Sequence, residues 1–231
     1  MLRWFIGYDP VEAGTWGVLA HSLHRHSSMP ISLSPVSLKN LEGILTRERH
    51  ALQSNEFAFS RFLVPWLCGF EGWAVFSDCD MIVKDDPAKL WALRDDKYAV
   101  KVVHHNHIPE ESTKYLGATQ TKYGRKNWSS VILWNCGHPG NRILTPEYVN
   151  TAEGLELHQF RFLDDKDIGY LPKQWNHLVG YDVSKDSKLI HYTTGGPYFE
   201  EYRNCDYHQD WFKEKALSDT ILQTKDLKER G

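Results

Sequence analysis

The sequence predicts an α/β fold, in which one domain spanning residues 1–231 builds a mostly parallel mixed sheet flanked by helices. Three observations support this. The chain of 231 residues is long enough for one sizeable core and short for two. Apolar runs typical of buried strands alternate with segments of helical periodicity through the first half. Acidic residues directly follow two of these strands, at the sheet edge where such folds bind ligands.

The apolar pattern gives each element in order. The predicted elements are a strand at 2–6, a helix at 12–25, a strand at 31–36, a helix at 57–68 that Pro65 should bend, a strand at 73–76, a short helix at 87–93, strands at 98–103 and 130–134, helical material at 146–162, and a strand at 189–192. Residues 104–127 lack apolar periodicity and are expected to form a flexible loop. An aromatic, polar tail closes the chain.

Composition excludes several function classes. The formal charge of −3 and the pI near 6.5 give no electrostatic footprint for nucleic acid. No apolar run approaches the roughly 20 residues of a membrane span, and the first residues are typical of a strand rather than a signal peptide. Four scattered cysteines without a Cys-x-x-Cys pair favour reduced thiols in a cytoplasmic protein. No protein partner is indicated.

The most informative segment is the strand that ends in Asp78 and Asp80. Side chains alternate along a strand, so both carboxylates should point to one side and Cys79 to the other. Two carboxylates at a core boundary repel each other and are costly to desolvate. A divalent cation with phosphate oxygens in its shell would remove that cost. The pair therefore predicts a metal–phosphate site, although a solvated turn with two aspartates is the alternative.

His191 is the best candidate for a third ligand, because it ends an apolar strand and precedes Thr-Thr-Gly-Gly. Gly195 and Gly196 would let backbone N–H groups approach an anion closely. A structural histidine before a turn is the alternative. An imidazole with two carboxylates suits Mn²⁺ somewhat better than Mg²⁺.

Other charged residues leave two interpretations open. Arg61 is a lone cation on an apolar helix, which could snorkel to solvent or reach a phosphate or sugar hydroxyl. Lys122, Arg125 and Lys126 could be a solvated loop or a lid over phosphate or acceptor. Asp164 and Asp165 could cap a helix, or one could face the cleft and bond a sugar hydroxyl or stabilise cationic charge.

Several segments, in this order, resemble family 8 of the GT-A-fold glycosyltransferases across nearly the whole chain. The motifs are Phe5-Ile6-Gly7-Tyr8-Asp9, Ser60-Arg61-Phe62-Leu63, Phe76-Ser77-Asp78-Cys79-Asp80, residues 127–135, Leu171-Pro172-Lys173-Gln174-Trp175-Asn176, and His191-Tyr192 with Gly195. A closer likeness is to small bacterial and phage glycosyltransferases. Two departures are serines where Ala-Gly is common and the absence of a lysine after the terminal glycine, where Gly196-Pro197-Tyr198 stands.

The resemblance implies a hexosyltransferase with a GT-A-type (Rossmann-like) domain. It would use Mn²⁺ or Mg²⁺ and a nucleotide-sugar donor, most simply a UDP-sugar, and transfer the sugar with retention to a glycan, lipid-linked or small-molecule acceptor. The metal ligands would be Asp78, Asp80 and His191. Donor contacts would come from Ile6, Gly7, Tyr8, Asp9, Arg61, Asp78, Cys79, Gly195 and Gly196. Catalytic roles would fall to Asn127, Asp164 and Asp165.

Two other functions remain open at this point. A nucleotide-sugar-binding protein without transfer activity would explain the missing lysine. A phosphatase of the haloacid-dehalogenase kind also uses a strand that ends in Asp-x-Asp, but there the motif usually lies near the N-terminus, whereas here it begins at Asp78.

Overall fold

The structure is a computed structural model that describes residues 1–48, 53, 55–106 and 124–220. It contains two sheets. The strands are β1 Leu2–Gly7, β2 Ile31–Val36, β3 Trp73–Ser77, β4 Met81–Val83, β5 Val100–Val102, β6 Val131–Asn135, β7 Ile168–Tyr170, β8 His177–Leu178 and β9 Leu189–His191. The helices are α1 Ala13–His26, α2 Val64–Leu67, α3 Pro87–Trp91, α4 Pro146–Thr151, α5 Gly154–His158 and α6 His208–Ser218.

The larger sheet has six strands in the order β2-β1-β3-β6-β5-β7. Five strands run in one direction and β6 runs against them. Strands β3 and β6 are buried along their whole length, which is expected for central strands covered by helices on both faces. The predicted α/β fold with a mostly parallel, helix-flanked sheet is therefore confirmed.

The smaller sheet has three strands in the order β4-β9-β8. Strand β4 pairs antiparallel with β9, and β8 pairs parallel with β9. A second apolar cluster joins this sheet to α1 and α6, and consists of Val18, Ile82, Val179, Ile190, Tyr192 and Trp211. The smaller sheet is thus packed on the body of the fold by its own core.

Several predicted elements differ from the structure. The helix at 57–68 is a 3-10 turn, Ser60–Leu63, followed by the single turn α2, because Pro65 fits only at a helix start. The helical stretch at 146–162 divides into α4 and α5. Strands β4, β7 and β8 and helix α6 were not predicted. Of the expected loop at 104–127, residues 107–123 lie outside the described residues.

Within the part of the chain that the structure describes, no helix combines the length and the apolar character needed to cross a bilayer.

Candidate active site

The Asp-x-Asp segment lies where the chain passes from the large sheet to the small one. Strand β3 ends at Ser77 and β4 begins at Met81. The amide of Asp78 donates to the carbonyl of Ser130 at 3.0 Å, and the carbonyl of Asp80 accepts from the amide of Tyr192 at 3.0 Å. The two aspartates are therefore held by different sheets, one beside β6 and the other beside β9.

Asp78, Asp80 and His191 converge at this crossover. Each offers one ligand atom, and these atoms lie within 4.8 Å of one another. His191 Nε2 is 3.4 Å from Asp80 Oδ2 and 4.0 Å from Asp78 Oδ2. The residues are only 8%, 8% and 2% exposed, respectively. The structure thus brings together the three residues that the sequence predicts as metal ligands, and we call them the triad.

Asn176 orients the imidazole of the triad. Its Nδ2 donates to the carbonyl of Asn127 at 3.2 Å and to Ser130 Oγ at 2.8 Å, so its Oδ1 is the atom 2.9 Å from His191 Nδ1. An amide oxygen only accepts, so Nδ1 of His191 carries the hydrogen. The lone pair of Nε2 then faces the two carboxylates, which is the ligand form of histidine.

This arrangement fits a divalent cation. Two carboxylate oxygens and an imidazole lone pair would repel one another in the buried site, and a shared cation converts that repulsion into ligation. The outer hydrogen bond from Asn176 is the kind of support that metal-binding histidines have in proteins. The chemistry of the donor set thus supports a metal site.

Arg61 lies against the triad and is itself 4% exposed. Its Nη1 is 2.8 Å from Asp78 Oδ1 and donates to the carbonyl of Ser129 at 2.7 Å. Its Nε donates to the carbonyl of Phe57 at 3.2 Å. Of the two interpretations of Arg61, the structure therefore selects the buried one beside the carboxylates and excludes snorkelling to solvent.

A buried histidine that the sequence did not single out supports this arginine. Nδ1 of His158 is 2.8 Å from Ser129 Oγ, and its ring packs edge-on against Phe62. Burial lowers the pKa of His158 to about 3, with contributions from the charges of Arg61, Arg47 and Lys126. His158 is therefore neutral and adds no further positive charge beside Arg61.

Cys79 points away from the triad, as strand alternation predicts. The residue is fully buried, and its thiol hydrogen-bonds with Thr15 in α1. Burial raises the pKa of the Cys79 thiol well above its ordinary range, with Glu12 and Asp80 adding to the effect. The side chain of Cys79 therefore packs against α1, so only its backbone is left for the predicted donor contact, which stays a prediction.

The residues after β1 shape a turn at the same edge of the sheet. Ile6 is fully buried in the core, so its side chain is not available to a donor either. A Cβ on Gly7 would lie 2.4 Å from the ring of Phe57, so close packing requires glycine there. Asp9 accepts from the amide of Val11 at 2.9 Å and from the amide of Glu56 at 3.1 Å. Half-buried Tyr8 is the neighbour whose ring remains for donor contact.

The Thr-Thr-Gly-Gly turn begins two residues after His191. A Cβ on Gly195 would lie 2.4 Å from the ring of Tyr202, and one on Gly196 would lie 2.2 Å from the ring of Tyr198. Tight ring packing is thus a sufficient reason for both glycines. Their predicted contact with an anion stays a prediction.

The candidate sugar-site segment also lies beside the triad. Asn127 has a left-handed backbone with φ of 63°, and its Oδ1 lies 3.5 Å from Thr193 Oγ1. Lys126 is buried, whereas Arg125 pairs with Asp165 at 2.6 Å, and Lys122 lies outside the described residues. The three predicted lid cations therefore do not share one environment.

Asp164 and Asp165 lie on the surface before β7. Asp164 pairs with Lys166 at 3.2 Å, and Asp165 with Arg125. Their side chains are 73% and 79% exposed. Neither carboxylate joins the triad in the structure, so their assignment as catalytic groups gains no support.

Sequence reasoning missed the roles of Asn176, Ser129, Ser130 and His158. The sequence does hint at the role of Asn176, because a polar side chain directly after the buried Trp175 is expected to need hydrogen-bond partners. It gives no such hint for His158, since its partners come from three separate segments.

Comparisons with known proteins agree with this fold. No protein-family model matches the chain. Among solved structures, the apo bifunctional glycosyltransferase WbbM superposes with a TM-score of 0.68 at 16% identity, over 98% of this chain. The glycosyltransferase GlyE of Streptococcus pneumoniae TIGR4 gives a TM-score of 0.63 at 15% identity, over 99% of this chain. The chain covers 51% of WbbM and 62% of GlyE.

A third solved structure is similar over its whole length. The galactosyltransferase LgtC, in complex with donor and acceptor sugar analogues, gives a TM-score of 0.56 at 12% identity, over 96% of this chain and 98% of LgtC. These likenesses show a GT-A-type fold. Among curated proteins, Protein CDI of Arabidopsis thaliana is 46% identical over 220 residues, which span 92% of this chain and 85% of the relative. At that identity and coverage, the chain belongs to the same family as Protein CDI.

Proposed function

We propose that this protein is a metal-dependent glycosyltransferase. It transfers a hexosyl group from a nucleotide sugar, in the first place a UDP-sugar, to an acceptor hydroxyl with retention of configuration. The acceptor is a glycan, a lipid-linked sugar or a small molecule, and the protein acts in the cytoplasm as one domain over residues 1–231. The GT-A-type fold and the triad support the reaction class, and the UDP-sugar and retention follow from the resemblance to family 8.

The observation that carries the proposal is the convergence of a metal-binding set with a buried cation. Asp78, Asp80 and His191 offer ligand atoms within 4.8 Å of one another. Arg61 adds a guanidinium 2.8 Å from Asp78 Oδ1. A phosphate group suits this combination, because it can share a cation with the carboxylates and accept paired hydrogen bonds from arginine.

In the proposed reaction, the chain's residues position the donor and stabilise the leaving diphosphate. Bound Mn²⁺ or Mg²⁺ would supply positive charge to the diphosphate as the glycosidic bond breaks. Arg61 orients the diphosphate with N–H donors that its carbonyl contacts hold in place. Tyr8 contacts the base and ribose from the turn that Asp9 shapes. Asn127 lines the sugar site, and the turn at Gly195 and Gly196 approaches the phosphates.

Of the two earlier alternatives, the phosphatase loses support and the binding protein is left to experiment. A phosphatase that uses Asp78 as nucleophile is disfavoured, because the solved structures that superpose on this chain are glycosyltransferases. A binding protein without transfer activity would share the triad, so only an assay separates it from an enzyme.

Calorimetry of UDP with Mn²⁺, and again with EDTA, tests the site. We expect binding only with the metal, because two carboxylates alone repel a diphosphate. Equal affinity in EDTA would exclude the proposed site. Incubation with UDP-sugars and Mn²⁺, with and without sugar acceptors, then tests the reaction. Release of UDP indicates a transferase, whereas tight binding without release indicates a binding protein.

A further inference from the structure

A cluster of aromatic rings lies at the edge of the large sheet beside the triad. The rings of His104 and Trp128 stack at 4.1 Å between centroids and 5° between planes. The ring of Tyr170 meets His104 at 5.8 Å and 88°. Tyr170 is 55% exposed and His104 is exposed. We call these three residues the aromatic platform.

The platform is rigidly built. Trp128 Nε1 donates to the carbonyl of His105 at 2.9 Å, and the guanidinium of Arg125 lies 5.1 Å from the centroid of the Trp128 ring. Arg125 is in turn held by Asp165 at 2.6 Å and by the carbonyl of Gln159 at 2.9 Å. The stack thus ends in a charged pair whose carboxylate faces solvent.

Topology places the platform next to the proposed donor site. His104 follows β5 and Tyr170 ends β7, at the edge where Asp78 follows β3. The sheet order β3-β6-β5-β7 puts them two and three strands from β3, which corresponds to about 10 and 14 Å at normal strand spacing. The two sites are therefore neighbours, close enough for one reaction to use both.

The chain also joins the platform to the donor site directly. Trp128 lies between Asn127, whose carbonyl accepts from Asn176, and Ser129, whose carbonyl accepts from Arg61. Each residue beside Trp128 thus contacts a group that supports the triad. A ligand on the platform would share one short segment with the donor site.

The chemistry of the platform suits a sugar. The exposed parts of Tyr170 and His104 offer apolar area with polar tips at low entropic cost, which complements the C–H face of a pyranose. The His104 ring is partly exposed and partly covered, and this partial burial lowers its pKa. A hydrogen bond with Gly169 raises the pKa of His104 and the charge of Arg125 lowers it. At neutral pH its imidazole is uncharged and able to bond a hydroxyl. Asp165 and Arg125 add an acceptor and donors for further hydroxyls.

We propose that the aromatic platform is the acceptor subsite, and that it binds a neutral carbohydrate whose reacting hydroxyl points toward the triad. This inference rests on the proposed function. It also gives Asp165 a role in holding the acceptor rather than in bond breaking.

Saturation-transfer NMR tests the platform without relying on turnover. The probes are methyl glycosides of glucose, galactose, mannose and N-acetylglucosamine, with cellobiose and lactose, measured with and without UDP and Mn²⁺. We expect at least one probe to bind the wild type, and Tyr170→Ala to weaken that binding about tenfold. Tyr170→Phe keeps the ring and should bind as wild type does. Ile143→Ala, at an exposed apolar residue elsewhere, should change nothing.

The outcomes separate the two proposals. Absence of binding by every probe, or equal binding by wild type and Tyr170→Ala, overturns the acceptor subsite. UDP–Mn²⁺ affinity should be unchanged in Tyr170→Ala, because Tyr170 lies outside the donor site. An equal loss of UDP–Mn²⁺ and sugar affinity would show that Tyr170 does not act at a separate acceptor subsite and would overturn the proposal. If sugars bind the platform while UDP–Mn²⁺ does not bind the wild type, the proposed function fails and the sugar site stands.

Discussion

Asn176 accepts a hydrogen bond from Nδ1 of His191 at 2.9 Å, and this contact decides which nitrogen of the imidazole faces Asp80. The amide is fully buried, and its own Nδ2 is held by the Asn127 carbonyl and by Ser130. Its orientation is therefore fixed before any ligand arrives. A preoriented ligand loses little entropy on binding, so Asn176 should raise metal affinity without touching the metal.

Asn176→Ala should weaken Mn²⁺ binding by roughly 10- to 100-fold, the range usual for loss of an outer hydrogen bond to a metal ligand. In the metal-free protein, ¹⁵N spectra of the His191 ring should show Nδ1 protonated in wild type and a tautomer mixture in the variant. Asn141→Ala is the matched control, because Asn141 is equally buried and donates to two carbonyls away from the triad. Equal tautomers in wild type and Asn176→Ala would contradict this role.

Asp80→Ala should abolish metal-dependent UDP binding while the fold survives. Removing one of two like charges relieves repulsion, so the melting temperature of the metal-free protein should be unchanged or raised. The increase in melting temperature that Mn²⁺–UDP gives to wild type should disappear. Asp206→Ala, at an exposed aspartate, serves as control and should keep that increase. A variant that unfolds, or that keeps the full increase, would exclude a ligand role for Asp80.

Arg61→Met should weaken binding of the diphosphate without weakening binding of the metal. The guanidinium repels a cation bound at Asp78, so its loss should leave affinity for Mn²⁺ alone unchanged or raised. Affinity for UDP in the presence of Mn²⁺ should fall, and stability should drop by about 3 kcal/mol because a buried ion pair is broken. Arg47→Met is the control, since Arg47 packs 3.5 Å from the Phe59 ring centroid without touching Asp78. Unchanged UDP binding by Arg61→Met would be the contrary result.

Stability should fall in acid because of His158. Its pKa is about 3 in the folded protein against an ordinary 6.5, so the unfolded chain takes up a proton first. The stabilisation is present above pH 6.5 and is lost as the pH falls toward 3, with a slope of up to about 1.4 kcal/mol per pH unit. Urea unfolding across this range should show a shallower slope for His158→Gln. Ser129→Ala should keep the wild-type slope, because burial rather than the serine is the main cause. Equal slopes for wild type and His158→Gln would contradict this account.

Local sequence patterns predicted individual strands and the polar residues at their ends, because these features depend on neighbouring residues. Strand β3 and the Asp-x-Asp pair follow from an apolar run that ends in acids, and β2 matches its predicted bounds. His191 could be chosen because it ends another apolar run. The resemblance to known motifs added the order of these elements.

The parts that sequence did not predict depend on distant partners. Helix α6 has a weakly amphipathic sequence and is anchored instead by buried Glu214, which pairs with Arg25 and His21 on α1. The roles of Asp164 and Asp165 could not be predicted, because aspartates that cap, pair on the surface or face a cleft look alike in sequence. The side chains of Ile6 and Cys79 are buried, which the motifs did not reveal, because a motif marks a segment without telling which of its side chains point into the core.

The passage of the chain from β3 into β4 has a consequence for synthesis and folding of the protein. Asp78 and Asp80 are synthesised more than 100 residues before His191 and its strand β9. A nascent chain that still lacks β9 carries two carboxylates without their third ligand or its asparagine support. If the triad binds a metal as proposed, its full set of ligands forms only when β9 has paired with β4, so high-affinity metal binding should require the smaller sheet.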